Sequence, residues 1–230
     1  MPLLELLASS GLGSLLGMRH ALEPDHLAAV STLVTGERSS AKAAWLGACW
    51  GFGHTLTLVA AGTVLVGLRA EMPAAVSDAF ESCVALMLVG LGLRAIYRAA
   101  RQGHEGPAHL HHHGRFVHAH PGAPAHVHIG RWTFARRPLL VGAVHGLAGS
   151  GALTALVLAT LPSTAAQLAY MMLFGLGSTV GMAALSGVLG WPLGRVLGHP
   201  AIARGVLLTV GCISTVLGLY WGYPLVGRLF

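Results

Sequence analysis

Hydrophobic and polar positions along the chain form long blocks, and the apolar blocks are the length of membrane spans. Six apolar runs, each long enough to cross a bilayer core of about 30 Å, are separated by short polar segments and one long polar segment. The runs cover residues 3–34, 43–68, 79–99, 138–161, 165–189 and 202–226. This pattern predicts an all-α, polytopic membrane protein with about six transmembrane helices.

The composition supports this fold class. Hydrophobic residues make up 54% of the chain, charged residues only 10%, and the mean hydropathy is +0.67. These values exclude an ordinary soluble domain. The 32 glycines are typical of helices that pack closely in lipid. The three cysteines, Cys49, Cys83 and Cys212, lie in apolar runs, which favours packing residues over a disulfide framework or metal ligands.

The first run is too long for one straight span. A continuous helix over residues 3–34 would extend about 48 Å, well beyond the bilayer core. Pro24 lacks a backbone donor, so we expect the first helix to be broken near it.

The break contains His20, Glu23, Asp25 and His26. Ionisable groups at membrane depth are costly, and they usually face a cavity or mark an ion pathway. Imidazole and carboxylate groups together suit nickel, cobalt or zinc as metal ligands. The alternative is that these four residues simply end a helix at the membrane–water interface. On a regular helix His20 and His26 would diverge by about 240°, whereas a 3₁₀-like segment would align them with Glu23.

A further histidine, His54, lies in the second run at about mid-membrane depth, followed by Thr55. Because the preceding span carries the cluster of ionisable residues, His54 is a candidate metal ligand or a residue that supports the ligands. A hydrogen-bonded packing histidine is the alternative.

Basic residues predict the orientation. They concentrate between the first and second, third and fourth, and fifth and sixth runs. If the spans alternate in direction, all these segments lie on one side, which the positive-inside rule assigns to the cytosol. We therefore expect a multi-pass plasma (inner) membrane protein with both termini outside and the long segment in the cytosol. The excess of 14 basic over 8 acidic residues then indicates a basic cytosolic face, not nucleic-acid binding.

The two halves of the chain repeat. Gly17 and His20 match Gly142 and His145 at an offset of 125, and Asp25 meets Ser150. At an offset of 124, the motif that contains His54 and Thr55 matches the one that contains Ser178 and Thr179. A unit of three spans ends on the opposite side of the membrane from where it begins, so its second copy must have the inverted orientation. The repeat therefore predicts a 3+3 inverted repeat with a site at the interface between the two units. We expect residues 1–99 and 138–230 to be the repeats. Six polar residues are candidates for lining the ion pathway or supporting the site: Glu23, Thr55, His145, Ser150, Ser178 and Thr179. The alternative for the hydroxyl residues is that they simply bond to backbone carbonyls within their helices.

The long segment, residues 100–137, is rich in histidine. It holds His104, His109, His111, His112, His113, His118, His120, His126 and His128. A histidine-rich tract with few apolar residues is typical of a flexible metal-binding segment. We expect a flexible cytosolic loop that buffers metal; a solvated linker with incidental histidines is the alternative.

The stretch from Arg19 to His26 also carries a resemblance. Its H-x4-D-H pattern resembles the signature of the nickel/cobalt transporter (NiCoT) family, and in particular that of its shorter UreH-like (urease accessory) members. The motif Gly51-Phe-Gly-His54-Thr55 is similar to the family's second motif. The resemblance implies that His20, Asp25 and His26 belong to a metal-recognition site. The chain departs from longer members in having about six spans instead of eight, and no acidic residues beside Ser178 and Thr179.

The sequence therefore predicts a transporter of divalent nickel, or of cobalt, with no permanent cofactor. Uptake is implied by the resemblance, as are cytosolic metallochaperones or nickel-enzyme maturation proteins as partners. The alternatives are nickel or cobalt efflux, an intramembrane hydrolase that uses Ser150 and His145, and a membrane metal sensor or store that conducts nothing. Ser150 and His145 lie five residues apart, so they would not face each other on a helix, and no acid accompanies them.

Overall fold

The computed structural model describes residues 3–34, 39–101, 109–113, 116–120, 126–129, 132–161, 163–196 and 200–229. Seven helices carry the fold: α1 (Leu3–His20), α2 (Pro24–Val34), α3 (Ser40–Leu68), α4 (Ala74–Arg101), α5 (Arg136–Thr160), α6 (Thr164–Val196) and α7 (Pro200–Leu229). Four short strands lie between α4 and α5: β1 (His109–His113), β2 (Phe116–His120), β3 (His126–Ile129) and β4 (Trp132–Ala135). The helices confirm the predicted all-α membrane class.

Four helices among the described residues are long and apolar enough to span a membrane: α3, α4, α6 and α7. A fifth span results if α5, which bends by 43° between Gly149 and Gly151, counts as one. The bend falls in the glycine-rich segment that aligns with the broken first run. The structure thus gives four to five spans on length and composition, and the count of six stays a prediction.

The first apolar run is broken where the sequence predicts. α1 ends at His20 and α2 begins at Pro24. Proline suits the first turn of a helix, where its missing donor would have no partner in any case. Between the helices, the backbone N–H groups of Leu22 and Glu23 donate to the carbonyls of Arg19 and His20. These i to i+3 bonds form the predicted 3₁₀-like turn.

The helices pack around α3. α3 contacts α6 on one side and α5 on another, α1 packs against α6, and α4 packs against α7. α2 lies among α3, α4, α6 and α7. This arrangement buries the break between α1 and α2 inside the bundle, beside the middle of α3.

The histidine-rich segment contains strands that the sequence analysis does not predict. In its described part, β1 pairs with β2 and β3 pairs with β4 as two antiparallel hairpins. The sequences of β2 and β3 alternate apolar residues with histidine, a pattern that suits strands. His104 lies outside the described residues, and eight of the nine histidines lie within β1, β2 and β3.

Candidate metal centre

Four helices bring the histidines of the membrane region together. His20 is the last residue of α1, and Asp25 and His26 lie in the first turn of α2. His54 occupies the midpoint of α3, with 14 residues on each side. His145 comes from α5, in the second half of the chain. His54 therefore lies at the middle of its helix, and the break in the first run brings the other residues close to it; its depth in the membrane stays a prediction.

Three histidines form the first group of side chains. The His20 ring centroid lies 4.4 Å from that of His26 and 5.3 Å from that of His54. One ring nitrogen of each histidine lies within 4.8 Å of those of the other two. His26 and His54 are buried, and His20 is partly buried. The prediction that a 3₁₀ turn brings His20 and His26 together is therefore confirmed.

Two carboxylates orient these rings. His20 Nδ1 donates to Glu23 Oε1 over 2.9 Å, and His26 Nδ1 donates to Asp25 Oδ1 over 3.0 Å. A ring that donates through Nδ1 keeps its lone pair on Nε2, so both rings present Nε2 as a potential ligand. Carboxylate–histidine pairs of this kind orient metal-binding imidazoles in many proteins.

Several buried ring nitrogens have no hydrogen-bond partner among the described residues. They are His20 Nε2, His26 Nε2, His145 Nδ1 and both nitrogens of His54. A buried polar atom without a partner costs about 1–3 kcal/mol. Such a concentration of unpaired nitrogens is costly in an empty protein and becomes favourable when they bind an ion together.

A second group shares His26 with the first. One donor atom each of Asp25, His26 and His145 lies within 4.8 Å of the others, and all three residues are buried. The Asp25 carboxylate accepts from His26 Nδ1 and, through its other oxygen at 3.2 Å, from His145 Nε2. Asp25 thus links the first half of the chain to the second.

Aromatic side chains enclose the cluster. The Trp50 ring centroid lies 5.4 Å from that of His26 and 5.7 Å from that of His145, and the Phe174 ring centroid lies 5.3 Å from that of His20. Trp50 is completely buried. Sequence reasoning missed both residues because neither belongs to a charged motif, although Trp50 directly precedes the motif that contains His54. The apolar surroundings strengthen electrostatic interactions within the cluster.

A cavity of about 1110 Å³ leads to the cluster. Its inner end is lined by His20, Asp25, His26 and His145, and Glu81 and Arg228 line it farther out. Arg228, in the last turn of α7, lies 3.5 Å from Asp78 of α4. The histidine cluster is therefore reached from the end of the bundle where α4 begins and α7 ends.

The predicted hydroxyl residues lie between helices. Thr55 Oγ1 is 2.7 Å from the Gly175 carbonyl oxygen and 2.8 Å from Thr179 Oγ1, and Thr179 also lies within hydrogen-bond distance of that carbonyl. The expected bonds to backbone carbonyls are thus found. The bond of Thr179 lies within α6, and the bond of Thr55 joins α3 to α6. Ser178 is buried, and its hydroxyl has no partner among the described residues. The Ser150 side chain lies outside the described part of the structure.

Comparison with known proteins identifies the family. Residues 6–219 match the family model NicO, described as a high-affinity nickel-transport protein. The chain belongs to this family. It is 32% identical to the urease accessory protein UreH of Bacillus sp. (strain TB-90), over 96% of this chain and 93% of that protein. NicO proteins are transporters, not enzymes, so the hydrolase interpretation of Ser150 and His145 is not supported.

A more distant relative is the chloroplast protein FOR GROWTH AND FERTILITY 1 of Arabidopsis thaliana. It is 32% identical over 80% of this chain and 50% of its own length. No solved structure matches the chain. Membership in the NicO family and the apolar helices together establish a multi-pass membrane protein of a nickel-transport family.

Proposed function

We propose that this protein carries divalent nickel into the cell through the histidine cluster at the break between α1 and α2. The observation that carries the proposal is the convergence of unpaired, buried nitrogens of His20, His26 and His54. Imidazole nitrogen suits nickel and also cobalt, so cobalt is a second candidate ion.

The spacing of the three nitrogens supports ion binding. Nitrogens bound at right angles to one Ni(II) ion at about 2.1 Å, as in square-planar or tetragonal sites, lie about 3.0 Å apart, and those of His20, His26 and His54 lie within 4.8 Å of one another. A contraction of at most about 1.8 Å would close the site, and rotations of the three rings would shorten these distances. Glu23 and Asp25 hold two of the rings and supply negative charge near the dication.

We further propose that the two halves form a 3+3 inverted repeat with the site at their interface. Contacts at equivalent positions support it. A Cβ at Gly17 would collide with the Phe174 carbonyl, and a Cβ at Gly142 would collide with the Trp50 carbonyl. Gly142 follows Gly17 by 125 positions, and Phe174 follows Trp50 by 124. The same close approach thus occurs between α1 and α6 and between α5 and α3.

The central pair of helices supports the same symmetry. Gly53 of α3 approaches the Leu139 carbonyl of α5, and Gly177 of α6 approaches the Ser14 carbonyl of α1. These are again equivalent positions, at offsets of 124 and 125. An inverted repeat would place the broken α1–α2 segment and the bent α5 opposite each other, as transporters with midplane sites do.

The proposed orientation has both termini outside and the segment of residues 100–137 in the cytosol. The basic residues near the ends of the helices support it. In that orientation the cavity opens outward, because it reaches Glu81 near the start of α4 and Arg228 at the end of α7. An ion from outside would then meet the cluster from the side that uptake requires.

The histidine-rich segment is proposed to buffer metal on the cytosolic side. In the hairpin of β1 and β2, His109 pairs with His120 and His111 pairs with His118. Neighbouring histidines on paired strands provide sites for weak, exchangeable binding. Metallochaperones or proteins that mature nickel enzymes are the proposed recipients, and the relative named as a urease accessory protein supports such a context.

The proposal is tested by transport of radiolabelled nickel into proteoliposomes. His54→Ala, which removes one ligand from the centre of α3, should lower the initial rate at least tenfold while the protein still inserts and elutes as a single species. The matched control is Ser186→Ala, which removes a buried hydroxyl beside Gly47, away from the cluster, and should leave the rate unchanged.

Three results would contradict the proposal. Wild-type rates in both His54→Ala and His20→Ala would exclude the cluster as the pathway. Nickel binding by the purified protein without any flux would instead favour a metal store or sensor. In intact cells, expression should raise nickel content; a fall would indicate efflux.

A further inference from the structure

We propose that a transported ion occupies two successive positions that share His26: an outer position formed by Asp25, His26 and His145, and an inner position formed by His20, His26 and His54. The proposal rests on the transport function proposed above and adds to it a second, separate binding position. Each position has three potential ligands with donor atoms within 4.8 Å of one another.

The outer position has the chemistry of a divalent-metal site. It combines one carboxylate and two imidazoles, and its residues Asp25, His26 and His145 are 5%, 1% and 3% exposed. Groups that are so deeply buried need partners. At present Asp25 accepts a hydrogen bond from each of the two histidines. An ion there would bind His26 Nδ1 and His145 Nε2 in place of these two protons, and each neutral ring would then carry its proton on its other nitrogen. His145 comes from α5, so the position joins the two halves of the chain.

The cavity gives the order of the two positions. All three outer residues line it, and so does His20 of the inner position, whereas His54 is not among its lining residues and is 0% exposed. The inner position is therefore complete only when an ion reaches His54. An ion that enters past Glu81 and Arg228 therefore reaches Asp25 and His145 before it can reach His54. Within the described residues, His54 is the inner limit of the cluster.

Because both positions use His26, only one of them can hold an ion at a time. Two dications on one imidazole ring would repel each other strongly in surroundings from which water is excluded, and Asp25 is the only fully buried carboxylate among the described residues of the cluster. An ion that moves inward leaves Asp25, His145 and Nδ1 of His26 for His20, His54 and Nε2 of the same His26 ring. The ring proton changes nitrogen in the same step, so His26 serves only one of the two positions at a time.

Equilibrium nickel binding tests this arrangement. The purified full-length protein is used, with the nine histidines of residues 104–128 replaced by serine so that only the membrane site is measured. His145→Ala is made both in this protein and in its His54→Ala variant. If only one position can be filled at a time, the measured association constant is the sum of the association constants of the two positions. In the protein with His54, the inner position still binds nickel after His145→Ala, so the loss of affinity is small. In the His54→Ala protein only the outer position remains, so the loss caused by His145→Ala should be at least five times larger.

His145→Gln distinguishes a ligand from a hydrogen-bond donor, because glutamine can still donate to Asp25. The proposal requires His145→Gln to behave like His145→Ala in both backgrounds and to lower nickel flux at least tenfold. Three results would overturn it: equal factors in the two backgrounds, wild-type behaviour of His145→Gln, or complete loss of nickel binding on His54→Ala alone. None of these results affects the proposed function, which depends on flux through the protein with an intact cluster.

Discussion

His26 is the residue on which the cluster depends. Its Nδ1 bonds to Asp25, its Nε2 is unpaired, and its ring lies close to those of His20, His54, His145 and Trp50. The position of one proton decides which nitrogen can bind an ion. That proton is fixed by the carboxylate of the preceding residue, so Asp25 controls the metal-binding geometry even where it is not itself a ligand.

Asp25→Asn should lower nickel affinity at least tenfold and abolish transport. Asparagine keeps the shape but replaces one of the two acceptor oxygens with an NH₂ donor, so it no longer accepts from His26 through one atom and from His145 through the other. One ring must change its tautomer, and the negative charge beside the ion is lost. Nickel titration of the purified protein with serines in place of the nine histidines measures the effect.

Glu23→Gln is the matched control for this substitution. Its side chain is 50% exposed, and the glutamine oxygen can still accept from His20. The loss of affinity should be less than threefold. A similar loss for both substitutions would mean that charge alone, and not the hydrogen-bond pattern, supports the site.

The broken first segment and the close helix contacts determine the site at the level of elements. The 3₁₀ turn between α1 and α2 turns His20 and His26 toward each other, and Asp25 lies at a helix N-terminus, where negative charge is favoured. The glycine contacts of α1 with α6 and of α5 with α3 bring backbones together. Without those contacts, His145 of α5 could not reach Asp25.

Gly142→Leu should therefore displace α5 and abolish transport. The new side chain would collide with the backbone of Trp50, and overpacking of this kind typically costs about 1–3 kcal/mol or more. The thermal unfolding temperature of the detergent-solubilised protein should fall. Gly90→Leu is the control, since no atom of the described residues lies within 4 Å of a Cβ there, and it should leave both temperature and flux unchanged. Equal effects would show that close packing of α5 is not required.

The two halves of the molecule pack differently around the site. α2 and α4 share one core, to which Val30, Val34, Val84 and Leu88 belong. α5 and α7 instead form walls of the cavity, with Ala152 of α5 and Tyr220 of α7 among the lining residues. The site is thus covered on one side and accessible on the other.

Labelling from outside the cell tests the proposed orientation. With Cys49, Cys83 and Cys212 replaced by serine, Ala152→Cys in the cavity wall should react with a membrane-impermeant thiol reagent, and the adduct should stop nickel uptake. Lys42→Cys, exposed near the start of α3, should react only in permeabilised cells. The reverse pattern would place the cavity on the cytosolic side and contradict the orientation and the entry route.

The sequence by itself determined the membrane class, the approximate helix bounds, the break near Pro24 and most of the residues in the cluster. These features depend on local properties: hydropathy over a span, a missing backbone donor, and the cost of ionisable groups at membrane depth. The turn that aligns His20 with His26 is also local, so spacing was enough to predict it.

Only the tertiary structure decided which atoms meet. Asp25 and His145 lie 120 residues apart, and no local pattern could pair them, because their distance depends on how α5 packs against α3. The roles of Trp50 and Phe174 as the enclosing rings likewise depend on side-chain positions across helices. The cavity was not predictable either, since residues from helices that are distant in sequence, such as α2, α5 and α7, line it.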